Sequence, residues 1–203
     1  MTRTLAAALA LATLLGACQP AGGHGGATAR PDTVRTIVDS ILPIEEELRR
    51  FRSAVGEEPT SLAGGAPSRD ALVERFVSAL EAADTAAFRH MLLTRAEFAW
   101  LYYPHTRFTA PPYELAPGLL WFQIENGTSR GLGRLLERMG GRPAHAAGHA
   151  CPPEPRTEGP NRVWEGCVVH LRPPEGEPRD LELFGSILER GGVYKFVSYS
   201  NGF

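Results

Sequence analysis

The stretch VWEGCVVHLR, residues 163–172, carries the alternation of a β-strand. Cys167, Val169 and Leu171 would lie on one face, because successive side chains of a strand point to opposite sides. Gly191-Gly192 offers the positive φ angles that a tight hairpin turn requires. Strands are therefore predicted near residues 144–151, 163–172, 180–189 and 193–200. Together they predict a four-stranded antiparallel meander at the end of the chain.

Helical periodicity precedes these strands. Ser68 is a favourable N-cap for a helix whose apolar positions repeat every three or four residues. Asp84 begins a short second helix, and Thr94 with Glu97 forms a capping box for a third. A long helix is predicted from Leu119 to Met139, with a break at Asn126-Gly127 as an alternative. Helices followed by strands predict an α+β domain.

Residues 32–67 form an N-terminal helical segment and loop. Asp32 is a plausible N-cap, and Pro43 divides the apolar stripe that follows into two helical pieces. The second piece has acidic residues in its first turn and arginines in its last, an order that suits the helix dipole. Residues 56–67 are rich in Gly, Pro and Ser and are expected to form a loop.

The segment SRDALVERFVSALEAADTAAF, residues 68–88, resembles the opening helices of nuclear-transport-factor-like (cystatin-like) α+β cones. The closing YKFVSY, residues 194–199, is also similar to that fold. The resemblance implies that residues 68–203 form a domain in which a curved sheet wraps a helix and encloses a ligand-sized cone. Members include binding domains, isomerases and dehydratases. This chain differs by inserting residues 94–140 before its sheet.

The first residues have the pattern of an export signal. Arg3 precedes an uncharged apolar run that is too short to span a membrane, and Leu15-Gly16-Ala17-Cys18 resembles the bacterial lipobox. The resemblance implies that residues 1–17 are removed as a lipoprotein signal peptide and that Cys18 carries the lipid. Residues 18–31 are Gly/Ala-rich and are predicted to be a flexible tether. Gln19 favours the outer membrane, facing the periplasm, if the host has two membranes.

Composition and motifs exclude several functions. The formal charge is −2, and the single lysine, Lys195, stands against 20 arginines, so the sequence gives no electrostatic case for binding nucleic acid. The chain has no phosphate-binding loop, dinucleotide-type glycine pattern, GxSxG or HExxH. No cofactor is therefore expected.

Two cysteines remain when Cys18 is lipidated. Cys151 and Cys167 form an even pair in an oxidising compartment, which predicts a disulfide. A zinc site is the rival interpretation, but two cysteines with fifteen residues between them and no CxxC fit no common zinc pattern. His145 and His149 would lie about 13 Å apart on a strand that rises ~3.3 Å per residue, too far to share one metal ion. No metal site is predicted.

Aromatic residues are concentrated in one segment. Eight of the seventeen fall between Phe98 and Phe122. Simple core packing is one interpretation. The other is a pocket or partner surface, since Tyr and Trp combine an apolar body with a polar tip. The pocket hypothesis places these residues on its walls: Trp100, Tyr103 and Trp121 opposite Val169, Leu171 and His149.

The titratable groups near this segment are His90, Glu97, His105 and Asp84, and two of them already have capping roles. No catalytic residue is assigned. The sequence therefore predicts a lipid-anchored cell-envelope protein with a non-catalytic domain that binds an apolar small molecule or an envelope protein. One alternative is a small isomerase- or hydrolase-type enzyme that uses a pocket histidine or carboxylate. Another is a structural subunit of an envelope complex.

Overall fold

The chain runs through its helices before its strands, as the sequence predicts. The computed structural model describes residues 42–202. The predicted signal peptide, Cys18, the tether and the Asp32 cap lie outside the described residues. The helices are α1 (Ile44–Ser53), α2 (Arg69–Glu81), α3 (Thr85–Met91), α4 (Arg95–Glu97) and α5 (Pro117–Met139). No helix among residues 42–202 is both long and apolar enough to cross a membrane.

The predicted caps are present. The Ser68 hydroxyl accepts a hydrogen bond from the amide of Ala71, and the Asp84 carboxylate accepts from two amides of α3. Thr94 and Glu97 form the reciprocal capping box, after which the chain continues as the π-helix Phe98–Tyr102. Two 3-10 turns, Tyr103–His105 and Arg107–Thr109, follow it. Helix α5 is continuous through Asn126-Gly127, so the alternative of a break is wrong.

The strands are shorter and more numerous than predicted. They are β1 (Ala146–Ala150), β2 (Arg156–Glu158), β3 (Asn161–Trp164), β4 (Val168–Leu171), β5 (Arg179–Leu181), β6 (Ile187–Arg190) and β7 (Val193–Phe196). They pair antiparallel in two sheets, in the orders β1-β4-β5 and β2-β3-β6-β7. The antiparallel order of the predicted strands is therefore correct, but two of the predicted long strands are each divided into two shorter ones.

Two breaks explain the difference. The predicted strand 163–172 divides into β3 and β4 at Gly166, whose φ of +68° is a left-handed conformation that interrupts a strand. The predicted strand 180–189 divides into β5 and β6 around Gly185, where a side chain would lie 2.4 Å from the Ser198 hydroxyl. Between β6 and β7, Gly191 and Gly192 both have positive φ and form the predicted two-residue turn.

Both faces of the β3-β6-β7 region are covered, which creates two hydrophobic cores. The inner core places α2, α3 and the second half of α5 against one face, with Phe76 in contact with four other aromatic rings. The outer core places α1, the 98–103 segment and the first half of α5 against the other face. Because successive side chains of a strand point to opposite faces, each strand contributes to both cores: Ile187 lies in the inner core and Leu188 in the outer core.

Candidate functional site

The six residues of the pocket hypothesis do not line one cavity. Val169 and Leu171 belong to the β1-β4-β5 sheet and lie in the inner core, whereas Tyr103 and Trp121 lie in the outer core, against the β2-β3-β6-β7 sheet. Trp100 is half-buried at the edge of the outer core, with the Arg52 guanidinium 4.0 Å from its ring centre. The prediction that the aromatic segment faces Val169 and Leu171 across one pocket is therefore wrong.

Helix side chains already fill the core around Val169 and Leu171, so the aromatic segment has no room there. The side chains of α2 pack in the core that contains Val169 and Leu171, and Phe76 and Leu72 are fully buried there. The aromatic segment covers the outer face of the β3-β6-β7 region, where Tyr103 packs against Phe98 and donates a hydrogen bond to the carbonyl of Leu115 at 2.7 Å. Most of the segment is therefore core, the other interpretation of the sequence.

A groove opens where the two cores meet. It lies between the α3–α4 connection and α5, and its volume is about 460 Å³, within the range of small-molecule sites. Val197 contributes to it from the segment after β7. We call it the α3–α5 groove. Its apolar lining consists of Leu92, Leu93, Trp121, Ile124, Leu132 and Val197.

Polar groups of the groove lie at its border. Arg89, Arg95 and Glu125 are exposed residues that line it. The Arg95 guanidinium stacks on Phe51 at 4.7 Å, and Arg89 makes no ion pair within residues 42–202. In the wall, the indole N–H of Trp121 is buried without a hydrogen-bond partner in the described part of the chain. An apolar channel bordered by two cations and one carboxylate suits an amphiphile, with an anionic group placed at the arginine side.

A second cavity, the His149 cleft, separates α2 from β1. It has a volume of about 520 Å³ and is lined by Asp70, Glu74 and Ser78 of α2 together with His149. His149 lies opposite Val169 in the sheet, so its side chain points toward α2, as the sequence predicted for this face. Its Nε2 lies 3.7 Å from the Asp70 carboxylate, and 10% of its side chain is exposed.

The electrostatics of the cleft favour a neutral imidazole. Burial lowers the pKa of His149, and the carboxylate of Asp70 opposes this effect without cancelling it. A neutral imidazole beside a carboxylate can accept a proton at neutral pH, which is the chemistry of a general base. Position and pKa therefore make His149 the best candidate for acid–base chemistry in the described structure.

The other titratable candidates do not converge. His90 is exposed, and Asp84 is committed to the N-terminus of α3. His105 is exposed near Gly159, and burial and the positive charge of Arg190 lower its pKa. No group of three metal-binding side chains comes together within residues 42–202.

Glu97 has a structural role that the capping box only partly predicted. Its carboxylate accepts hydrogen bonds from the amides of Ala63 and Thr94 and pairs with Lys195 Nζ at 2.8 Å. Lys195 Nζ also donates to the carbonyl of Ala63 at 2.8 Å. This buried network fixes the 62–66 loop and the capping box to β7 on the outer face of the sheet.

The predicted disulfide is present. Cys151 follows β1 and Cys167 precedes β4, and their Cα atoms are 4.1 Å apart. The bond closes the chain beside the pair Ala150–Val168, where β1 and β4 meet. It therefore fixes the strand that carries His149.

Sequence reasoning missed most of the groove. Trp121, Ile124, Thr128 and Leu132 follow the three- and four-residue spacing of one helix face, a signal that is legible once α5 is continuous. Asp70 gave no signal, because an acidic residue in the first turn of a helix is explained by the dipole alone. Comparison with protein-family models, curated proteins and solved structures finds no match to the chain.

Proposed function

We propose that this is a lipid-anchored cell-envelope protein whose domain binds an apolar or amphiphilic small molecule in the α3–α5 groove. The lipid attaches at Cys18, and the domain faces the periplasm if the host has two membranes. The groove carries the ligand-binding half of the proposal, because aliphatic side chains of both cores and Trp121 line a cavity bordered by Arg89 and Arg95.

The ligand chemistry follows from the lining. The apolar wall favours a hydrocarbon or aromatic body, since transfer of apolar surface out of water is favourable. Arg89 and Arg95 favour a carboxylate, sulfate or phosphate at one end. Both guanidinium groups are exposed, so they contribute selectivity for anions more than affinity.

Ligand binding in the groove can be tested with a substitution that fills the cavity. Ser129 lines it from an exposed position on α5, so Ser129→Trp places a ring in the cavity without disturbing the core. Gln123→Trp is the matched control, because Gln123 is exposed on the same helix and does not line the groove. The probe is the fluorescent fatty acid cis-parinaric acid, titrated into the purified mature protein.

We expect Ser129→Trp to weaken probe binding by about tenfold or more, the effect of losing roughly 1.4 kcal/mol, and Gln123→Trp to leave it unchanged. Arg89→Gln should weaken binding of parinaric acid more than binding of its methyl ester, which has no charge. Probe binding that both tryptophan variants retain, or no probe binding by the unaltered protein, would contradict the groove.

A second candidate function rests on the His149 cleft. Neutral His149 beside Asp70 could act as general base in a small hydrolase or isomerase. Hydrolysis of p-nitrophenyl esters tests the hydrolase form: His149→Gln should abolish a rate that His90→Gln, at an exposed histidine, leaves intact. An identical rate for all three proteins would contradict catalysis of this reaction at the cleft.

A further inference from the structure

Three large hydrophobic side chains are exposed among residues 42–202, and all three belong to one short segment. Tyr113 is 48% exposed, Leu119 47% and Phe122 61%. Leu119 and Phe122 are neighbours on the surface of α5, because residues three apart share a helix face. We call these three residues the α5 patch. Exposed apolar residues that cluster mark an interaction surface more often than scattered ones do.

The α5 patch lies on the side of the domain where the described chain begins. Ile44, the first residue of α1, packs in the same outer core as Leu115 and Leu120, which flank the start of α5. From Cys18 to Leu42 the chain advances 24 residues, a reach of at most roughly 80 Å. The described chain therefore begins on the side of the domain that carries the patch, and a lipid at Cys18 would be tied to that side.

The aromatic and apolar character of the patch suits the interface of a bilayer. The Arg107 guanidinium lies 5.0 Å above the Phe108 ring, and Phe108 packs edge-on against Tyr113 with 5.2 Å between ring centres. Arg107 also pairs with the Glu165 carboxylate at 3.6 Å, and Glu114 and Glu125 are exposed beside Tyr113 and Phe122, so charge does not select anionic head groups here. The patch itself combines two aromatic rings and a leucine, a composition that favours the interface of a bilayer.

We propose that the α5 patch docks on the surface of the membrane that holds the lipid anchor, with Leu119 and Phe122 among the acyl chains and the Tyr113 ring at the level of the head groups. This inference rests on the proposed anchoring at Cys18. A patch of three side chains suffices, because the anchor turns docking into an intramolecular event at high effective concentration. Phe122 is three residues before Glu125, so docking would bring the α3–α5 groove close to the bilayer.

Two glycines of α5 provide a matched pair of probes. Gly118 and Gly133 are exposed, and a side chain at either position meets no atom within 4 Å. Gly118 adjoins the patch and Gly133 lies fifteen residues further along the helix, roughly 22 Å away at 1.5 Å per residue. Gly118→Cys and Gly133→Cys each carry a nitroxide in the mature lipoprotein, reconstituted in vesicles of phosphatidylethanolamine and phosphatidylglycerol. The accessibility of each label to oxygen and to a water-soluble nickel chelate is measured.

We expect the label at Gly118 to be protected from nickel and accessible to oxygen, and the label at Gly133 to be accessible to nickel. Leu119→Gln with Phe122→Gln should remove the protection at Gly118.

The outcomes separate docking from anchoring. Protein that floats with the vesicles while both labels are equally accessible to nickel overturns docking and leaves the anchor intact. Mature protein without a lipid overturns the anchor, and unchanged labels at saturating vesicles then overturn docking as well. Spin–spin coupling between Gly118 labels in the absence of vesicles would show a second copy of the chain on the patch, which also overturns the proposal.

Discussion

The single lysine of the chain is a structural residue. Lys195 and Glu97 have side chains that are 1% and 3% exposed and form an ion pair with hydrogen bonds to the 62–66 loop. Both carboxylate oxygens of Glu97 accept hydrogen bonds and Lys195 Nζ donates two, so much of the cost of burying two charges is offset. The composition shows that the chain has a single lysine. Only the fold shows its partner, Glu97, which lies 98 residues away in sequence.

Replacing only Lys195 should destabilise the domain much more than replacing both Lys195 and Glu97. Lys195→Met leaves the Glu97 carboxylate buried without a counter-charge, and we expect a loss of about 3–5 kcal/mol in the free energy of unfolding. Adding Glu97→Gln should restore a large part of that loss, because the amide is neutral. Denaturant unfolding measures both. A double variant no more stable than Lys195→Met would show that the pair is not coupled.

His149 should make the stability of the domain depend on pH. Burial lowers its pKa in the folded state below the ordinary 6.5, so the unfolded chain binds the proton first as the pH falls. Stability is therefore complete above pH 6.5 and decreases below it, by at most about 1.4 kcal/mol per pH unit for one group.

The comparison for this prediction is His149→Gln, whose unfolding free energy should vary less between pH 7 and pH 5. His105, whose pKa is also lowered, is replaced by Gln in both proteins so that only His149 differs. Asp70→Asn should steepen the dependence slightly, because the carboxylate opposes the lowering. Equal slopes with and without His149 would contradict the described burial.

At the scale of the element, α5 is positioned by a close backbone approach. A side chain at Gly131 would lie 1.9 Å from the carbonyl oxygen of Tyr199, and the Asn201 side chain donates to the carbonyls of Gly131, Leu183 and Tyr199. The helix can therefore cross the end of the chain only where it carries a glycine. This crossing keeps the first half of α5 beside the groove.

Two glycines two residues apart should respond in opposite directions. Gly131→Ala forces α5 away from Tyr199, and we expect a loss of about 1–3 kcal/mol in unfolding free energy. Gly133→Ala meets no atom within 4 Å and should gain up to about 1 kcal/mol, since alanine favours the helix. Thermal unfolding of the two variants gives the comparison. Equal losses would show that helix propensity, not the Tyr199 contact, dominates.

The individual helices, turns and strands were more predictable from the sequence than the way in which they pack against one another. The caps at Ser68, Asp84 and Thr94, the turn at Gly191-Gly192 and the disulfide follow local chemistry that a sequence displays. Which face of the sheet the aromatic segment covers is a non-local choice. Alternation identifies two faces of a strand but does not say which helix occupies each one, so the predicted pocket united residues of two cores.

At the scale of the whole molecule, the α3–α5 groove and the His149 cleft are formed by different parts of the described domain. The α3–α5 groove joins both cores, and the His149 cleft lies between α2 and β1, the strand that the disulfide fixes. The groove and the exposed patch both include residues of α5, whereas the cleft is lined by residues of α2 and the β1 region. The proposed ligand binding and membrane contact therefore share one helix, and the proposed acid–base chemistry lies elsewhere.

The anchor decides whether this surface ever meets a bilayer. The lipobox-like Leu15-Gly16-Ala17-Cys18 motivates the prediction that Cys18 carries the lipid and holds the protein in the membrane fraction. Acylation of the thiol precedes cleavage in the lipoproteins that this segment resembles, so Cys18→Ser should accumulate as a precursor with its signal attached. Labelled fatty acid and a mass measurement of the two proteins check this. A Cys18→Ser protein cut at the same place, beside unaltered protein that incorporates no fatty acid, would contradict lipid anchoring, because an ordinary signal peptide needs no cysteine.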